Sequence, residues 1–233
     1  MIMAKTNWSI TSGFIGKLGN VVGFNWKGKN IQRALIQGAD TRSEAQILQR
    51  ARFGMIGRMG SVLYDAVYEG FRHEARSNST TQSGLFLKHN LSAIGGTDPE
   101  ALTVDYPGLQ LSYGKLKGVA CGTPAINGTT LSVTVSNAAA LNRRTALTDR
   151  VYVCAYCPAL GDAVCECVGT RAGGDVTLTV PASYADETVY VYAFVIGASS
   201  TNEGQASTTA YLGTARSGSS SGRNSGGSGT VNG

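Results

Sequence analysis

Short apolar runs alternate with glycine and basic residues between positions 10 and 36. One run covers residues 21–26, and the sequence Lys-Gly-Lys-Asn at 27–30 separates it from a second run that begins at Ile31. A polar turn containing glycine and asparagine between two apolar runs is typical of a β-hairpin. We therefore predict a hairpin here, and because an isolated hairpin buries little surface, we expect it to lean on something else.

Between residues 41 and 76 the apolar positions recur every three or four residues, as they do along one side of an α-helix. Gly54, Gly57 and Gly60 lie three apart, so we expect them to share one flank of this helix. Another backbone could approach closely at that flank. A second, shorter helix is predicted over residues 81–94.

From residue 102 onward the pattern changes to short β segments separated by turn residues. Residues 189–195 carry large apolar or aromatic side chains on both faces, so we interpret them as a central strand. Many short strands separated by turns favour a β-sandwich. The other predicted strands are 102–106, 109–113, 131–135, 150–156, 164–169, 176–180 and one that ends near 208–212.

Together these patterns predict an α+β fold. An N-terminal β-hairpin plus a helical segment occupies residues 1–117, and a C-terminal immunoglobulin/fibronectin-like antiparallel β-sandwich occupies residues 118–213. Residues 214–233 are rich in Gly and Ser, and we interpret them as a flexible tail. The 31 glycines and the charged fraction of 15% suit a β-rich, turn-rich chain better than a helical enzyme.

The net charge of +5 is distributed unevenly. Residues 1–60 carry nine basic and two acidic side chains, a net charge of +7, whereas residues 120–213 carry four basic and seven acidic ones, a net charge of −3. Opposite charges at the two ends favour binding to a polyanion or head-to-tail assembly of copies.

The start of the chain lacks the apolar core of a signal peptide, and no apolar run reaches the length of a transmembrane helix. We therefore expect a cytoplasmic protein, or a virion component assembled in the cytoplasm, with no membrane partner.

The sequence contains no arrangement of residues typical of an active site. Of its two histidines, His73 is followed directly by Glu74, which points another way on a helix, and His89 has no catalytic partner at helical spacing. We interpret Arg72-His73-Glu74 as a solvated helix face. The P-loop, nucleophile-elbow and zinc-protease motifs are absent. We therefore predict that the protein is not an enzyme, uses no cofactor and has no small-molecule substrate.

Five cysteines, an odd number, indicate reduced thiols in a protein without an export signal. Three interpretations exist for Cys154, Cys157, Cys165 and Cys167: zinc ligands, a disulfide, or small apolar residues packed in a hairpin. Cys154 and Cys157 are three apart on one predicted strand and so face opposite sides, which argues against a metal knuckle. We favour packing and predict no metal site, with zinc and a disulfide as the alternatives.

The basic N-terminal stretch is the candidate binding region. Its cations could contact phosphates while its aromatic rings, Phe14 among them, stack on bases. In the alternative interpretation the aromatic rings cover the helix, and the lysines face water and discourage pairing at the sheet edge. The candidate contact residues for a polyanion or another partner are Lys17, Phe24, Trp26, Lys27, Lys29, Arg33, Arg50 and Arg52.

Three parts of the chain form a specific combination: the glycine-rich segment 16–33, the segment 41–53, and the sandwich pattern. The sandwich pattern consists of Thr148–Val153, Arg171, Leu178–Pro181, Val189–Phe194, Ser207 and Ala210–Gly213. This combination resembles a family of small proteins of unknown function common in Bacteroidota and their phages. The resemblance covers nearly the whole chain except the tail and implies no activity. Its phage-associated members imply a virion or accessory structural role.

We therefore expect a non-enzymatic structural or interaction protein that self-assembles, as a homo-oligomer, or docks on a larger protein assembly such as a phage virion. One alternative is nucleic-acid binding by the basic aromatic hairpin. The other is carbohydrate or cell-surface binding by the sandwich loops.

Overall fold

The computed structural model describes residues 4–5, 14–36, 43–136 and 144–216. The chain divides into two compact units, residues 1–43 and residues 44–233. The predicted tail lies outside the described residues from position 217 onward.

The first unit contains a four-stranded antiparallel sheet, called the N-terminal sheet below. Its strands are β1 (Ala4–Lys5), β2 (Gly16–Leu18), β3 (Val21–Trp26) and β4 (Lys29–Ala34), in the order β1-β4-β3-β2. The predicted hairpin is confirmed as β3 and β4. Its two-residue turn has positive φ at both Lys27 (48°) and Gly28 (77°), as a type I′ turn requires.

Three helices open the second unit, which is called the body below. They are α1 (Glu44–Val62), α2 (Tyr64–Ser77) and α3 (Gln82–Asn90). The helix predicted over residues 41–76 is interrupted at Leu63, although Leu63 still donates to Met59 O and accepts from Val67 N, both at 2.9 Å. The second predicted helix is α3, whose N-cap Thr81 accepts a hydrogen bond from Gly84 N at 3.1 Å. No helix within the described ranges has the length and apolar character needed to cross a membrane.

The side of α1 that carries Gly54, Gly57 and Gly60 is in close contact with another part of the chain only at Gly60, among the described residues. A β-carbon built at Gly60 would lie 3.1 Å from the Phe86 ring, whereas at Gly54 and Gly57 it would meet nothing within 4 Å. The close backbone approach occurs instead on α2, where a β-carbon at Gly70 would collide with the Leu111 carbonyl. The spacing of the glycines therefore predicted a close backbone approach at α1, whereas the structure has it at α2.

The remaining strands of the body form two larger antiparallel sheets and one short pair. The strands are β5 (Ile94–Gly95), β6 (Thr103–Val104), β7 (Ala120–Cys121), β8 (Ala125–Asn127), β9 (Thr130–Ser136), β10 (Arg150–Cys157), β11 (Asp162–Thr170), β12 (Gly174–Thr179), β13 (Val189–Ile196) and β14 (Ala210–Ala215). One sheet has the order β11-β10-β13-β14, the other has the order β12-β9-β7 with β8 also paired to β9, and β5 pairs with β6.

The β11-β10-β13-β14 sheet is the middle layer of the body. Val153 and Val191 on one face share a buried cluster with Leu131 of the other large sheet. On its opposite face, Tyr192 and Phe194 share a cluster with buried residues of the three helices. The central strand predicted over residues 189–195 is confirmed as β13, which is buried along almost its whole length.

The helices therefore belong with the two large sheets. The predicted boundary at residues 117 and 118 differs from the observed division after residue 43, because the apolar sides of the helices are covered by the middle sheet. The α+β class is as predicted. The last strand runs to Ala215, so two residues assigned to the tail are part of a sheet.

Residues 109–113 are not a strand, contrary to the prediction. Side chains take the place of a neighbouring strand: the Asn90 amide donates to Gln110 O at 2.8 Å and its carbonyl accepts from Gln110 N at 2.7 Å. The Thr209 hydroxyl accepts from Leu111 N at 2.8 Å. Apolar and polar residues alternate in this segment, as they do in a strand, because its leucines are buried. However, its backbone N–H and C=O groups form hydrogen bonds with separate side chains and not with a neighbouring strand.

Candidate polyanion-binding face

Strand pairing in the N-terminal sheet determines which side chains share a face. Directly paired residues, and alternate residues of one strand, point to the same side of an antiparallel sheet. The pairs are Lys17 with Val22, Val22 with Arg33, Phe24 with Ile31, and Trp26 with Lys29. These seven residues therefore lie on one face, called the basic face below.

Aromatic rings and cations are neighbours on the basic face. The Arg33 guanidinium carbon lies 6.0 Å from the centroid of the Phe24 ring, and Lys27 Nζ, in the adjoining turn, lies 5.9 Å from the centroid of the Trp26 ring. The Trp26 side chain is 50% exposed, whereas Phe24 is half-buried. Such cation–π contacts contribute about 0.5–1 kcal/mol each at exposed sites and keep the rings beside the charges.

The basic face lies in a stretch of chain without acidic residues. Residues 1–39 contain five cationic side chains and no Asp or Glu. Their positive charge is therefore not neutralised from within this stretch, and Lys17, Lys29 and Arg33 are exposed. A surface potential of this kind attracts polyanions over a distance of about 10 Å at 0.1 M salt.

The opposite face of the same sheet is uncharged. Its register pairs Leu18 with Val21 and Val21 with Ala34. Phe14 also lies on this side, because a β-carbon built at Gly23 would come within 2.6 Å of the Phe14 carbonyl oxygen and 2.9 Å of its ring. Phe14 therefore does not share a face with the cations and cannot stack on a base beside them, since the absence of a side chain at Gly23 makes room for the Phe14 ring on the opposite side of the sheet.

The two remaining candidate contact residues, Arg50 and Arg52, belong to α1 in the body. Arg50 is exposed. The Arg52 guanidinium donates to the Gly96 carbonyl oxygen at 2.7 Å and is half-buried. Arg52 therefore joins α1 to the chain that follows β5, while six of the eight candidates lie on the basic face or in its turn.

Four of the five cysteines line the cores of the body, whereas Cys167 is exposed, so the packing interpretation is wrong for Cys167. All five are among the described residues and are free thiols. Cys154 faces the helices and Cys157 lies between the large sheets, as their spacing predicted. A hydrogen bond with Cys165, its partner across β10 and β11, and burial raise the pKa of the Cys154 thiol well above its usual value. No group of three His, Cys, Asp or Glu side chains in the described residues is placed to hold a metal ion.

The most deeply buried charges in the body form a structural network. Arg171 Nε donates to Asp149 Oδ2 at 3.1 Å, and both side chains are almost fully buried. Arg171 also donates to the Gly118 carbonyl at 3.0 Å, and the Asp149 carboxylate accepts from Ala146 N at 2.9 Å and from Asn202 Nδ2 at 3.1 Å. The network ties the segments before β7 and β10 to those after β11 and β13.

His89 lies beside Glu74, a contact between two helices that the sequence did not indicate. Their Nε2 and Oε1 atoms are 3.8 Å apart, and each side chain is 18% exposed, so the predicted solvated helix face is wrong for Glu74. The His89 ring stacks on Tyr113 with centroids 4.3 Å apart. Glu74 and Tyr113 also line a cavity of about 580 Å³. Because the two residues lie on different helices, no periodicity within one segment could have paired them.

The fold and the candidate face describe a two-unit α+β protein with an exposed basic sheet. The chain belongs to DUF6266, a family of unknown function whose model matches residues 12–213. The match includes β2–β4 and the body as far as residue 213, within its last strand β14. No curated protein matches the chain. The resemblance to a family of unknown function is thereby confirmed.

Proposed function

We propose that this protein is a non-enzymatic interaction protein that docks on a polyanionic partner within a larger assembly through the basic face. The observation that carries the proposal is the gathering of Lys17, Lys29 and Arg33 with Phe24 and Trp26 on one side of one small sheet. Cations in a stretch of chain that contains no carboxylate attract anionic partners, and an exposed ring such as that of Trp26 provides contact area at little entropic cost.

We interpret the body as an immunoglobulin/fibronectin-like sandwich with a helical layer on one sheet. The strand orders β11-β10-β13-β14 and β12-β9-β7 support this interpretation, because two facing antiparallel sheets formed by strands that alternate between them are characteristic of that architecture. In the proposed function the body is a rigid support and carries no active site.

The larger assembly that we propose is a phage virion or an accessory structure of one. The support for this setting is the resemblance of the N-terminal, helical and sandwich segments to phage-associated proteins. It is an argument from association, and the binding chemistry of the basic face does not depend on it.

Self-assembly through the uncharged face of the N-terminal sheet is a second candidate function. Leu18 and Val21 on that face are 58% and 37% exposed, and Ile15 and Ile36 beside the strands are 75% and 68% exposed. A small sheet with exposed apolar side chains gains stability when a second surface covers them. Mass measurement by light scattering from about 1 to 100 μM would detect such self-association.

The test of polyanion docking compares two triple variants of equal charge. Lys17→Gln/Lys29→Gln/Arg33→Gln removes three cations from the basic face, and Arg58→Gln/Arg76→Gln/Lys88→Gln removes three exposed cations from the helices. With heparin as the probe, we expect the first variant to bind at least about tenfold more weakly at 0.1 M salt, with a shallower salt dependence. The second variant should change binding less than about twofold.

Equal losses in the two variants would mean that overall charge, and not the basic face, attracts the polyanion. A wild-type protein without salt-sensitive affinity for any polyanion would overturn the proposed function.

A further inference from the structure

We infer that the basic face binds single-stranded nucleic acid, with Phe24 and Trp26 stacking on bases and the surrounding cations contacting phosphates. The inference rests on the proposed function, because it names the chemical class of the polyanion. It is argued from the spacing of the rings, the position of the cations and the exposure of both.

The two rings are spaced for an extended strand. Phe24 and Trp26 are alternate residues of β3, so their Cα atoms are separated by about 7 Å along the strand. The spacing per nucleotide in a stacked strand is about 3.4 Å, roughly half of this distance. Two neighbouring bases can therefore stack on Phe24 and Trp26 at the same time only when the nucleic acid is extended and its bases are not stacked on each other. A single strand permits this.

The cations lie on both sides of the rings. At one end of the basic face, Lys17 on β2 and Arg33 on β4 are paired with Val22 of β3 from either side. Val22 is the residue of β3 that precedes Phe24 on this face. At the other end, Lys29 is paired with Trp26, and Lys27 follows in the turn. A strand running along β3 would therefore have a cation beside the phosphates before and after the two stacked bases.

The exposure of the Trp26 ring also favours bases over an acidic polypeptide. A chain of carboxylates would satisfy the cations but would gain little from this ring, which is 50% exposed, while Phe24 is half-buried. Each base has an aromatic face, so stacking on exposed rings recognises nucleic acid largely without regard to sequence. In a duplex those faces are stacked on other bases and are not accessible.

The test uses the full chain carrying Trp8→Phe, which leaves Trp26 as the only tryptophan. The probes are a twelve-nucleotide oligothymidine, a DNA duplex of about the same length, heparin and polyglutamate. We expect oligothymidine to quench the fluorescence of Trp26 and, at 0.1 M salt, to bind at least about tenfold more tightly than the duplex.

Substitution of the rings supplies the second measurement, by anisotropy of labelled oligothymidine in the background with Trp8 intact. We expect Phe24→Leu and Trp26→Leu each to weaken binding about tenfold, because each removes one stacking surface. Trp26→Phe keeps a ring and should retain most of the affinity. The matched control, Tyr64→Leu, removes a ring on α2 that is 57% exposed and should change binding less than about twofold. Circular dichroism spectra identical to wild type establish that each variant is folded.

The outcomes separate this inference from the proposed function. If heparin, duplex and oligothymidine bind alike and the ring variants change nothing, docking on polyanions stands and single-strand recognition is overturned. Preferential binding of polyglutamate with no response to oligothymidine also overturns it, in favour of an acidic protein partner. If no probe binds, both proposals fail.

Discussion

Two of the four-stranded antiparallel sheets in the described residues, the β11-β10-β13-β14 sheet and the N-terminal sheet, differ in how deeply their strands are buried. In the β11-β10-β13-β14 sheet, the central strands β10 and β13 are buried on both faces, by the helices on one side and by the second large sheet on the other. In the N-terminal sheet, the central strands β3 and β4 are mostly exposed or half-buried. The first sheet is therefore the core of its unit, whereas the strands of the second bury few of their side chains within theirs.

Charge follows the same division. In the body, Asp149 and Arg171 are buried together and every contact that they make joins parts of the fold. In the N-terminal sheet Lys17, Lys29 and Arg33 are exposed, and no carboxylate occurs in residues 1–39. Buried charge is expensive unless it is paired, which explains why Asp149 and Arg171 occur together, whereas exposed cations need no such partner.

The largest effect is expected from breaking the buried network in the body. Asp149→Ala leaves Arg171 without its anionic partner and removes the acceptor for the Ala146 and Asn202 donors. We expect a loss of about 3–5 kcal/mol in the free energy of unfolding, because an uncompensated charge remains buried. Urea unfolding followed by circular dichroism measures it.

The control for this variant is Glu166→Ala, which removes an exposed carboxylate from β11. It should change the free energy of unfolding by less than about 0.5 kcal/mol. A similarly small change for Asp149→Ala would contradict the structural role of the network.

A smaller loss of stability is expected from a leucine-to-alanine substitution in the body, and the same substitution in the N-terminal sheet gives a direct comparison of the two regions. Leu131 is fully buried between the large sheets, whereas Leu18 on β2 is 58% exposed. Leu131→Ala should cost about 3 kcal/mol, because it removes buried apolar surface and leaves a cavity. Leu18→Ala should cost less than about 0.5 kcal/mol in the unfolding of the isolated chain. Equal losses in thermal or urea unfolding would show that the N-terminal sheet also buries a core.

The smallest effect concerns alkaline pH. Burial, with smaller contributions from Tyr106 and Cys157, raises the pKa of Tyr156 to about 12 in the body, against about 10 in an unfolded chain. The folded protein therefore holds this proton more tightly, so the contribution of Tyr156 to stability is complete below about pH 10. It is lost as the pH rises from about 10 to about 12.

Tyr156→Phe should accordingly make the free energy of unfolding less dependent on pH between about 10 and 12. Tyr64→Phe, at an exposed position of α2, is the matched control for the loss of a tyrosine hydroxyl. No tyrosine of the N-terminal sheet enters this comparison, because residues 1–43 contain none. Identical pH slopes for wild type and Tyr156→Phe, measured by urea unfolding, would contradict the burial argument.

Much of the local structure could be predicted because neighbouring residues determine it. The turn at Lys27-Gly28 needs positive φ, and a glycine between two apolar runs indicates this without any distant contact. The apolar positions of β13 indicate burial on both faces in the same way. The candidate contact residues could be named from composition and charge, since six of the eight lie within residues 17–33.

What could not be predicted depends on residues that are far apart in sequence. Residues 109–113 alternate like a strand, but Asn90 and Thr209 satisfy their backbone. Glu74 belongs to a periodic helix, but His89 of another helix lies beside it. For residues 109–113 the local pattern was right about which side chains are buried and silent about the partners of the backbone. For Glu74 it was wrong about exposure as well, because the residue that lies beside it is on another helix.

The sequence by itself determined that the first unit is a basic, glycine-turned hairpin and that the body is built from amphipathic helices and short strands. Periodicity and turn chemistry act over a few residues, so these features need no tertiary information. Only the tertiary structure decided that the helices belong to the body and that Phe14 lies behind the sheet while Phe24 and Trp26 share a face with the cations. Those outcomes depend on strand register and on which surfaces cover one another, and both are determined by packing between distant segments.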